Sequence, residues 1–78
     1  MKLNRLQLKI LKFLQEKGAS YSAPVVSEEL SLNLNLDLSS IQRQVRSLED
    51  RGLVGIRRDE GERYYLKRDP GNLLQQEG

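Results

Sequence analysis

The chain has 78 residues, with 13 lysines and arginines against 11 aspartates and glutamates, a formal net charge of +2, and neither histidine nor cysteine. This length makes one small domain, and the missing residue types exclude disulfides, thiolate and imidazole metal sites, and the commonest nucleophiles and general bases. So mild a basic excess does not by itself name a nucleic-acid partner; the placement of the arginines must decide.

Residues 3 to 17, LNRLQLKILKFLQEK, are expected to form the first helix. At about 100° per residue, Leu3, Leu6, Ile10, Phe13 and Leu14 fall on one stripe, with Leu11 at its margin. Lys2, Arg5, Lys9, Lys12 and Glu16 gather opposite, most simply as a solvated face, and Gly18 ends the helix. Leu8 fits neither face and is a candidate dimer contact. The next residues, ASY at 19 to 21, are too short for more than a β-bridge. Ser22 before Ala23 and Pro24 reads as an N-cap, which starts a second helix from about Ala23 to Asn33 with Val26, Leu30 and Leu34 inward. LNLNLDLSS alternates leucine with polar residues, so on pattern alone it reads as a strand. The preferred reading lets Asn35 close the second helix, Leu36 plug the turn and Asp37 cap the third, because asparagine tolerates the left-handed conformation. The third helix, about Leu38 to Arg51, then buries Leu38, Ile41, Val45 and Leu48, and Gly52 stops it. LVGIRR and RYYLKR follow as two short β-type runs around DEGE, a hairpin signal. On strand alternation Tyr64 and Leu66 share a face, leaving Tyr65 the more exposed tyrosine. A domain over residues 1–69 is expected, followed by a tail at 70–78 with at most one short helical turn.

Helix, short strand, helix, tight turn, helix and β-hairpin give an α+β chain in the order of a winged helix-turn-helix. SSIQRQVRSLEDRGLV resembles the winged-helix pattern at Ile41, Val45, Leu48, Gly52, Leu53 and Val54, and GERYYLKRD is similar to a second wing strand at Arg63, Tyr64 and Leu66. The likeness spans roughly residues 5 to 68 and is nearest to the small prokaryotic regulators of the MarR and ArsR type. It implies three helices plus a C-terminal hairpin wing, and DNA binding. Departures narrow what carries over. ArsR-like metal sensors need cysteine or histidine ligands, so metal sensing and a metal cofactor are not expected. MarR-like proteins are about twice as long and keep a ligand pocket beside a dimer domain, so no small-molecule effector is evident. The Z-DNA-binding winged helices carry an Asn-x-x-x-Tyr pair and a Pro-Pro-Trp wing, and this chain has no tryptophan.

With Ile41 inward, Ser39, Gln42, Arg43, Arg46 and Asp50 point outward. Arginine bonds bidentately to guanine, glutamine to adenine, and serine or helix N-terminal amides hold phosphate. Ser39, Ser40, Gln42, Arg43 and Arg46 are therefore the expected major-groove residues. A solvated helix also favours glutamine and arginine; the position after the turn and before Gly52, Leu53, Val54 and a hairpin favours the reader. For Arg57, Arg58 and Arg63 on the hairpin, two readings stand side by side. They contact DNA backbone or minor groove, or they pair with Asp59, Glu60 and Glu62 at the tip.

The expected function is sequence-specific double-stranded DNA binding, as a transcriptional regulator acting by occupancy. A homodimer is expected, with Leu8, Leu73 and Leu74 as candidate contacts, because one helix reads too few base pairs. The alternative is a winged-helix module that binds protein within a nucleic-acid-processing assembly. Catalysis is not expected, since the clustered carboxylates sit on a loop without a cleft. No apolar run approaches the ~20 residues of a membrane span, and charges interrupt the opening MKLNRLQLK, so a cytoplasmic, nucleoid-associated protein is expected.

Overall fold

The computed structural model describes residues 3–71. The tail expected at 70–78 lies outside these residues from position 72 onward, and with it Leu73 and Leu74.

The first helix, α1 (Arg5–Lys17), starts where its backbone donors find partners. Asn4 caps it: its side chain accepts from Gln7 N at 2.8 Å, and Gln7 Oε1 accepts from Asn4 N at 3.0 Å, a reciprocal capping box. Gly18 closes it in the left-handed conformation at φ 65°, with Ala19 N donating to Leu14 O at 2.9 Å. The expected apolar stripe is rotated. Leu11 is fully buried rather than marginal, and Gln7 is buried beside Ile10 and Leu14, while Leu6 and Phe13 are half-buried.

Ser22 does not begin a helix. Residues 20 to 23 form a tight turn in which Ala23 N donates to Ser20 O at 3.1 Å, and Ser20 N to Ala23 O at 3.2 Å. Pro24 then holds Ala23 away from the helical region, and two β-branched valines follow. Val25–Val26 are therefore β1, not the first turn of a helix, and α2 runs over Ser27–Leu34. Val25 is the inward valine and Val26 points outward, reversing the expected assignment. No side chain caps α2, but Ser27 N donates to Glu62 O at 3.2 Å, and Glu28 and Glu29 complement the helix dipole.

Asn35 ends α2 at φ 56°, with its N–H on Ser31 O, and Leu36 packs against the core as the turn's plug. The helical reading of LNLNLDLSS thus prevails over the strand. α3 (Leu38–Asp50) follows, with Ile41, Val45 and Leu48 at 0% exposure. Leu38 is not part of that buried stripe. At the first turn of α3 it lies at the rim and stays 37% exposed.

β2 (Val54–Arg57) and β3 (Arg63–Leu66) make the hairpin, and the sheet is antiparallel in the order β1-β3-β2. The last strand in sequence is thus the middle one. Val25 pairs with Tyr64, and Ile56 pairs with Tyr64 from the other side. Tyr64 is fully buried, and its hydroxyl donates to Glu62 at 2.8 Å. Burial, reinforced by that carboxylate, raises its pKa above the ordinary value. Leu66 N reaches Ala19 O at 3.3 Å, so the loop after α1 is joined to β3 by a backbone hydrogen bond without forming a strand of its own. Among the described residues the result is an α+β layout with helices α1–α3 and a three-stranded sheet around one core. Among the described residues no helix is long and apolar enough to cross a membrane.

Asn35 is the one non-glycine residue with positive φ among the described residues. Asn35→Gly is therefore expected to hold or raise the urea midpoint. Asn35→Ala is expected to cost about 1 kcal/mol in the same unfolding experiment.

Candidate nucleic-acid interface

The roll of α3 follows from its buried stripe. With Ile41, Val45 and Leu48 against the core, the opposite side shows Ser39, Gln42, Arg43, Arg46, Ser47 and Asp50, which line one shallow open depression. Four of the five residues expected to meet the major groove are thus brought together. Arg43 and Arg46 are exposed, and neither has a carboxylate within ion-pair distance among the described residues. Ser40 is not on that depression.

Both serines of the first turn are engaged by a residue just before it. The Ser39 and Ser40 hydroxyls donate to the two oxygens of Asp37, Ser40 at 2.8 Å. These hydrogen bonds, Ser39 first and then Ser40, hold the Asp37 carboxyl below its ordinary pKa. The N-terminus of α3 therefore carries a negative charge and two spent donors, so neither hydroxyl offers a proton to a phosphate. Asp50 supplies a second carboxylate at the far end. The positive part of the face is its middle, at Arg43 and Arg46.

The neighbouring side of α3 is tied to the start of α1. Asn4 Nδ2 donates to Gln44 Oε1 at 3.1 Å, and the buried Gln7 amide donates to Ser47 Oγ at 3.0 Å. These ties fix the helix against rotation about its axis. Sequence reasoning passed over them, although Asn-x-x-Gln ahead of an apolar helix is the signal of the capping box that presents both side chains.

On the hairpin, strand alternation puts Gly55, Arg57, Arg63 and Tyr65 on the outward face. The Tyr65 ring lies across Gly55, where an added Cβ would meet its Cζ at 2.2 Å. Tyr21 packs edge-on at 5.4 Å between ring centroids, and the Arg57 guanidinium sits 4.7 Å over the Tyr21 ring. Tyr65 is half-buried, more exposed than Tyr64 as expected. Arg57 also donates to Tyr21 O at 2.8 Å and pairs with Asp59. The Arg57 hydrogen bond is the main cause that keeps the Asp59 carboxyl below its usual range. Arg63 Nη2 lies 2.9 Å from Glu60, and Arg58 Nε 3.9 Å from Glu62. Of the two readings for these arginines, pairing with the tip carboxylates describes the chain as it stands. Leu8 is half-buried on α1. Among the described residues no group of three or more acidic, histidine or cysteine side chains could hold a metal ion.

The depressed Asp37 carboxyl has a definite sign in acid. Its folded value lies below 3.8, so its contribution to stability is complete above that pH and is lost as pH falls through the depressed value. Carbon NMR of the Asp37 carboxyl should show the low titration. Ser39→Ala with Ser40→Ala should return it toward the ordinary value, and an unmoved midpoint would mean the hydroxyls do not hold it.

Compared with protein-family models the chain matches none, and no curated protein matches it.

Proposed function

We infer that the protein binds double-stranded DNA in a sequence-specific manner, as a winged helix-turn-helix regulator that acts by occupying its operator. The observation that carries this reading is the outward side of α3, where Gln42, Arg43 and Arg46 stand together around an open depression. An α-helix fits the major groove, about 12 Å wide, and at about 1.5 Å per residue a 13-residue helix reaches across it. Arginine and glutamine are the side chains that read guanine and adenine edges bidentately.

Support also comes from what the rest of the fold does for this helix. The turn at Asn35 to Asp37 sets α2 behind α3, and the ties from Asn4 and Gln7 hold its roll, so the reading side chains start from a rigid support. The hairpin follows α3 directly and stands beside it as the wing, on the DNA backbone or minor groove. Asp37 and Asp50 at the ends of the face confine favourable contacts to its centre, where Arg43 and Arg46 carry the positive charge. A homodimer on two half-sites about one helical turn apart supplies the base pairs that one α3 cannot.

The test is a fluorescence-anisotropy titration with random double-stranded DNA at two salt concentrations, followed by selection from a randomised pool. Salt-sensitive binding with an enriched palindromic site is the expected result. Absence of binding at low salt would overturn the reading in favour of a protein-binding module. With the selected site in hand, Arg43→Ala should cost about 1–3 kcal/mol and relax preference at one base position. Unchanged affinity would remove Arg43 from the interface.

A further inference from the structure

The arginines on the outward side of α3 and those of the hairpin fall into distinct classes. Arg43 and Arg46 on α3 face solvent without an ion pair among the described residues, whereas Arg57, Arg58 and Arg63 of the hairpin are each met by a carboxylate of the connecting loop. That loop is Asp59, Glu60, Gly61 and Glu62. It folds tightly, with Gly61 at φ 86° bridged to Asp59, and its three acidic side chains reach back to the strands. The Asp59 and Glu60 side chains are 52% and 74% exposed, so these pairs are screened and individually weak. A phosphate oxygen offers an arginine the same charge-assisted bond as a carboxylate oxygen.

We propose that Asp59, Glu60 and Glu62 are specificity-determining residues: they compete with DNA phosphate for Arg57, Arg58 and Arg63 and so suppress sequence-independent binding. The proposal rests on the DNA-binding reading above. On random DNA, phosphate attraction alone places the protein, so each arginine withheld by the loop removes part of the only available driving force. On a cognate site the base contacts of α3 place the protein, and the hairpin follows. Competition at the hairpin therefore falls hardest on random sequence.

The experiment compares D59N/E60Q/E62Q with E16Q/E28Q/E49Q, a variant of equal net charge that leaves the pairs of Arg57, Arg58 and Arg63 in place. Circular dichroism first verifies that both fold, and the single variant E60Q, which releases Arg63 alone, serves if the triple does not. Retention on heparin and anisotropy with random double-stranded DNA at two salt concentrations are then measured. The hairpin variant should bind random DNA about tenfold more tightly than the control variant. Its salt slope should steepen by about 0.9 for each released arginine, and it should elute later from heparin. If the two triple variants behave alike on heparin and DNA, only net charge matters and the proposal is overturned. Later heparin elution by the hairpin variant, with no DNA binding by any of the proteins, would overturn the DNA reading instead. In that case the loop would still be shown to hold the arginines against polyanions.

Discussion

The burial of Ile41, Val45 and Leu48 is the constraint on which the rest depends. Three aliphatic side chains at helical spacing leave α3 one way to lie on the core, and burial of each is worth about 1.5–3 kcal/mol relative to exposure. Once they are inside, the direction of every other side chain on the helix is settled. The polar face needs no stabilising role of its own. It is the side left over after packing, which is why its composition is not fixed by the core.

Packing alone fixes the roll of a helix only coarsely, and the polar contacts at its flank refine it. Gln7 is the clearest case. A buried amide is costly unless it is bonded, and this one both closes the capping box of α1 and reaches Ser47 on α3. A single side chain thereby links the start of one helix to the orientation of another. At the opposite edge, Ser27 N on Glu62 O joins the start of α2 to the hairpin. The helices and the sheet are thus connected through their termini as well as through apolar contact.

How much of this could be read from the chain depended on the range of the interaction. α1, α3 and the hairpin were legible because periodicity and turn residues are local signals, and the outward side of α3 followed from helical arithmetic on Ile41. β1 was not legible. Two valines are too few to show alternation, and they are a strand only because the edge of β3 supplies Tyr64 and Arg63 as partners far along the chain. The same arithmetic that found the apolar stripe of α1 placed its centre wrongly, since a polar residue such as Gln7 is discounted by pattern even when its hydrogen bonds let it be buried. At the candidate site, the arginines and Gln42 were legible, but the commitment of both serines to Asp37 was not. It depends on side-chain rotamers around a cap that sequence shows only as a residue type.

The order of the sheet bears on how the molecule is made. β1 and β2 have no hydrogen bonds to each other, and both wait for β3, which is last along the chain. During synthesis the three helices emerge before any part of the sheet can close, and the core on the Tyr64 side stays open until that strand leaves the ribosome. Adding β3 completes both ladders at once, so β1 and β2 gain their sheet hydrogen bonds together and neither is a strand without it.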